Sequence, residues 1–116
     1  MAAPTEETLP FPVEFSDDEL EDLVEKAALY TCLCPSKVAG LLRRVRATYA
    51  YQLDCLVDDA ENRATHETIV EALEACHQRL ESCLEDVLTI EGWDRATLTM
   101  PDGLRQKILE SSFPKK

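Results

Sequence analysis

Residues 65–89 read THETIVEALEACHQRLESCLEDVLT, and this stretch decides the fold. Ile69, Leu73, Cys76, Leu80, Cys83 and Val87 recur at alternating steps of four and three. That spacing puts all six on one stripe of an α-helix, in the pattern of a coiled-coil seam. His66 continues the stripe one step earlier. The segment contains no Gly and no Pro, so the spacing predicts an unbroken helix over about 65–89.

Upstream, Val38, Leu41, Leu42, Val45, Tyr49, Leu53 and Leu56 form a second stripe at helical spacing. Pro35 suits a first helical turn, where its missing N–H costs nothing. A second long helix is therefore expected over about 36–57. Between the two lies the short polar stretch Asp58 to Ala64. Long helices joined by a short loop favour an antiparallel hairpin. A turn centred near Ala60 and Glu61 would set Cys55 level with His66 and Cys34 level with Val87.

Two shorter helices flank this pair. Ser16-Asp17-Asp18-Glu19 is a capping box, which starts a helix expected to run to about residue 32. Pro35 disfavours helical geometry at Cys34 and so separates it from the next. Met100-Pro101-Asp102 opens a last helix over about 101–111, with Leu104, Ile108 and Leu109 on its apolar side. The expected fold is all-α: a helical bundle built on an antiparallel hairpin, forming one domain over 16–112. An extended arm precedes it over 1–15, and a frayed tail follows over 113–116. Three glycines in 116 residues leave little of the turn chemistry that an all-β fold requires.

The arm carries Leu9-Pro10-Phe11-Pro12-Val13-Glu14-Phe15, apolar at every second position. Its prolines exclude helix and hold the chain extended. Phe11 and Phe15 are set to dock, either on their own domain or into a partner. Trp93, beside Gly92, either caps the end of the bundle or anchors a partner.

The formal net charge is −11. This disfavours general binding to nucleic acid, whose phosphates recruit Lys and Arg. It equally disfavours anionic lipid, and it suits a basic protein partner. The charge is uneven. Residues 1–31 hold nine acids and one base, and residues 57–91 hold ten acids and two bases. Residues 36–56 instead hold four bases and one acid. The second helix is thus set to lie between two acidic ones. Its Arg43, Arg44 and Arg46 form a dense basic cluster, read here as pairing with acidic neighbours rather than gripping a phosphate. The N-terminus carries no basic, apolar leader and no stretch approaches membrane-spanning length, so a cytoplasmic protein is expected.

Five cysteines in a reducing compartment read as packing residues or ligands rather than disulfides. The hairpin register brings Cys32, Cys34 and Cys83 toward one end, and thiolates there would suit zinc or copper. Burial as small apolar side chains is the competing reading. Ala75-Cys76-His77, followed by Cys83, resembles the cysteine-lined helices of four-helix copper-storage bundles. Those bundles carry many more thiols, so the resemblance implies no shared function. Glu74 and His77 match one Glu-x-x-His copy of a di-iron bundle, whereas such a site requires two. No phosphate-binding loop, dinucleotide fingerprint, nucleophile elbow or zinc-protease motif is present.

The sequence therefore favours a small acidic helical interaction or regulatory protein, without catalysis of its own and without a cofactor. A homodimer is expected, because a regular seam on so small a protein calls for partner helices. A metal or redox protein and a carboxylate–His enzyme are the alternatives.

Overall fold

The computed structural model describes residues 9–26, 33–58, 60–101 and 103, with the side chains of 57, 58 and 60 excepted. Three α-helices carry it: α1 (Asp17–Lys26), α2 (Cys34–Asp58) and α3 (Arg63–Glu91). A single 3-10 turn, Ala60–Asn62, joins the last two. Among the described residues there is no strand, only one isolated bridge between Asp94 and Thr99. The remainder of the helix expected over 16–32, and most of that expected over 101–111, lie outside the described residues.

The capping box forms as written. The Ser16 hydroxyl accepts from the Glu19 N–H at 3.0 Å, and the Ser16 N–H donates back to the Glu19 carboxylate at 3.0 Å. Three acids in the first turn and Lys26 in the last complement the helix dipole. Leu20 and Leu23 are then buried one turn apart. The hydroxyl of Ser36 donates to the carbonyl of Leu23, fastening the start of α2 to α1.

Three contacts define how α2 and α3 meet. Gln52 touches His66 at 2.8 Å, Tyr49 bonds Glu74 at 2.9 Å, and Arg46 bonds His77 at 2.9 Å. Residue numbers fall along α2 as they rise along α3. This register lies within about one helical turn of one centred near Ala60 and Glu61.

The faces differ from the expected stripes. On α3 the buried residues are His77, Glu81, Leu84 and Leu88. The expected seam is displaced to the flank: Leu73, Leu80, Cys83 and Val87 are half-buried, and Cys76 is exposed. The shift is one residue, about 100° round the helix. On α2, Ala39, Leu42, Arg46 and Tyr49 face inward, while Leu41 is 42 % exposed. The reason is common to both helices. A hydropathy pattern assigns Arg46, His77 and Glu81 to solvent, but together they satisfy one another's polar atoms and so can be buried.

α3 ends at Gly92, whose φ of 79° only glycine adopts without strain. The Trp93 N–H returns to the Leu88 carbonyl at 2.9 Å and turns the indole into the core. That core comprises Phe15, Leu20, Leu23, Leu33, Ala39, Leu42, Leu84, Leu88, Trp93 and Leu98. Arg95 closes the structure from outside. It bonds Glu19 at 2.6 Å, Glu85 at 2.7 Å and the Glu14 carbonyl at 2.8 Å, with its guanidinium 4.1 Å over the Phe15 ring.

Candidate functional site

The densest polar cluster sits where α1, α2, α3 and the arm converge. Arg46 is at its centre and is almost wholly buried. Its guanidinium donates to Asp17 at 2.6 Å, to the Phe15 carbonyl at 2.7 Å, to Glu81 at 3.3 Å and, through Nε, to His77 Nε2 at 2.9 Å. Glu81 also accepts the backbone N–H groups of Glu14 and Phe15, at 2.9 and 3.0 Å. The arm is therefore held by both its N–H groups and a carbonyl. Phe11 covers the cluster, with its ring 5.3 Å from Tyr49 and 4.9 Å from His77.

The electrostatics follow from burial. His77 accepts at Nε2, so its proton resides on Nδ1, which has no hydrogen-bond partner and lies 3.6 Å from Glu81 Oε1. Burial first, and then the Arg46 charge, hold the imidazole well below its ordinary range, at about 4. Burial raises the Glu81 carboxyl, against the opposing pull of the two backbone N–H groups and Arg46. Burial, and then the bond to Glu74, push the Tyr49 phenol up to about 12.

This arrangement ties the arm to α2 and α3. Arg46 is engaged by four acceptors, and His77 neither opens to solvent nor carries a charge at neutral pH. Glu74 and His77, read as a possible di-iron or acid–base pair, are held by Tyr49 and Arg46 respectively. Neither lines the groove between α1 and α2 or the one beside the arm.

The sequence-selected residues are placed as follows. Cys34 is exposed at the first turn of α2, Cys83 is half-buried on α3, and Cys32 lies outside the described residues. Among the described residues, no three His, Cys, Asp or Glu side chains group to hold a metal ion. Phe15 and Trp93 are both in the chain's own core, and Phe11 is half-buried against Tyr49 and His77. The indole N–H of Trp93 donates to Glu91 at 2.9 Å.

Arg46 pairs with acids, as the charge pattern suggested, but Arg43 and Arg44 do not. Both are exposed, and no described acid is in ion-pair contact with either. Sequence reasoning missed the Arg46–His77–Glu81 cluster as a unit. The signal was there: Arg46 falls on the stripe of Ala39, Leu42 and Tyr49, and His77 and Glu81 are one turn apart at the matching hairpin level.

Comparison with protein families, with curated proteins and with solved structures gave no match. Among the described residues, no helix is long and apolar enough to cross a membrane.

Proposed function

We propose that this chain is a small acidic helical interaction protein that acts by binding another protein and not by catalysis. One observation carries the reading. The interior of α3 is occupied by His77 and Glu81, which leaves the heptad-spaced Leu73, Cys76, Leu80, Cys83 and Val87 on its flank. Ile90 extends this flank and is 82 % exposed. Apolar residues at such spacing pack against a second helix carrying the same repeat. A second copy of the chain supplies that repeat, so we take a homodimer through α3 as the first partner. An acidic groove of about 350 Å³, lined by Glu14, Glu85 and Asp86 beside the arm, suits a basic segment as a further contact.

The test is native mass spectrometry and sedimentation of the full chain, with Cys76→Lys and Ile90→Lys beside it. Both positions are exposed, so folding should survive the changes. The wild-type chain should be a dimer that these substitutions convert to a monomer. A wild-type chain that stays monomeric at every concentration, or a dimer indifferent to both lysines, rejects the α3 interface.

A further inference from the structure

The outward face of α2 differs in kind from the rest of the surface. Lys37, Leu41, Arg44, Thr48 and Tyr51 recur at steps of three and four, on the side of α2 opposite its buried stripe. Leu41 is 42 % exposed and Tyr51 is 54 % exposed. They are two of the three large apolar side chains so displayed among the described residues. Ten residues separate them, about 15 Å along the helix axis. Lys37, Arg43 and Arg44 are exposed around them, and no described acid pairs with any of the three. In a chain of net charge −11, this is a local concentration of unanswered positive charge.

Beside this face runs a groove of about 510 Å³ between α1 and α2. Gly40, Ala47 and Val24 form its apolar part, Arg43, Arg44 and the buried Arg46 line the α2 side, and Asp17 and Glu21 the α1 side. Gly40 is the informative residue. A glycine inside a helix is destabilising relative to alanine. The packing of the described residues gives no reason for it, because a Cβ built on Gly40 would meet none of their atoms within 4 Å beyond its own helix. Gly40 and Ala47, two turns apart, instead keep a trough open along α2.

We propose that this face docks an acidic amphipathic helix of a partner protein. Its apolar residues would cover Leu41, Tyr51 and the trough over Gly40 and Ala47. Carboxylates along one edge would pair with Lys37, Arg43 and Arg44. The other edge, facing Asp17 and Glu21, would be uncharged or basic. Two charged forks and an ammonium set around apolar anchors select such a segment by charge on its rim and by fit at its centre. A second copy of this chain is the poorer occupant, because it would bring two net charges of −11 together. The inference uses a different helix from the α3 interface and does not depend on it.

The experiment uses the full isotopically labelled chain and a synthetic helical peptide of about 18 residues, long enough to span both anchors. The peptide carries Leu on one face and Glu along one edge, and a matched peptide carries Lys in place of Glu. The Glu peptide should shift the amide signals of residues 37–51. It should bind at least tenfold more weakly to the Arg43→Glu/Arg44→Glu chain, and more weakly still as salt is added. Gly40→Leu should weaken it while the chain remains folded by circular dichroism. The proposal is overturned if the Glu peptide leaves these signals unmoved, if the Lys peptide binds as well, or if charge reversal changes nothing. It is also overturned if a single-stranded RNA binds the same residues more tightly, since the face would then be a phosphate site. Salt separates this result from the dimer. Screening weakens a complex of opposite charges but strengthens association between two copies that each carry −11.

Discussion

Arg46 Nε donates to His77 Nε2 across 2.9 Å, joining α2 to α3 at the centre of the molecule. This bond requires an unprotonated imidazole nitrogen. A protonated His77 would offer a donor to a donor and place a second positive charge beside the guanidinium.

Acid should therefore loosen the fold through His77. Its folded value, about 4, lies below the ordinary 6.5. The neutral ring's contribution is complete above about pH 6.5 and is lost as the pH falls toward 4, because the unfolded chain takes up the proton first. A displacement of this size corresponds to about 3 kcal/mol. Glu81 acts in the opposite sense: its raised carboxyl favours the folded state as it protonates. Urea unfolding between pH 7 and 4 should show a steeper loss in the wild type than in His77→Gln. Equal slopes would reject the assignment.

Removing Arg46 should be costly, and removing its partner with it should be less so. Arg46→Leu leaves Glu81 buried without its cation, a loss of about 3–5 kcal/mol. Adding Glu81→Leu removes the stranded charge but still frees the arm's N–H groups. The double variant should recover part of the loss, and the cycle should give a coupling above about 1 kcal/mol. Chemical denaturation of all four chains measures it.

Phe15 and Phe11 should separate by burial. Phe15→Ala empties a fully buried site under Arg95 and should cost about 3–5 kcal/mol. Phe11→Ala removes a half-buried ring that covers His77, and should cost less. It should also admit water to the imidazole and move its titration toward the ordinary range, which NMR of the ring protons would record.

Gly40→Ala should stabilise the isolated chain by about 0.5–1 kcal/mol. The added methyl meets no described residue beyond its own helix within 4 Å and gains the helix propensity that glycine lacks. Thermal unfolding checks it, and an unchanged or lower midpoint would show that the free chain itself requires glycine there.

Helix content, the capping box at Ser16 and the approximate extents of the two long helices were legible from propensity, local capping chemistry and spacing. These are short-range properties, set within a turn or two of chain. The inward face of each long helix was not. Counting apolar residues put Leu41 and Cys76 inside and left Arg46, His77 and Glu81 outside. A polar residue is buried only when partners from other elements meet its hydrogen-bonding groups, and for Glu81 those partners lie up to 67 residues away, as Glu14 does. The same holds for the arm. Its alternating pattern made Phe11 and Phe15 docking residues, but only the backbone groups meeting Glu81 and Arg46 decided that they dock on this chain. The sequence by itself determined which segments are helical and their approximate extents. The tertiary structure decided which faces are inside, because the energy of a buried charge depends on long-range partners that no local pattern encodes.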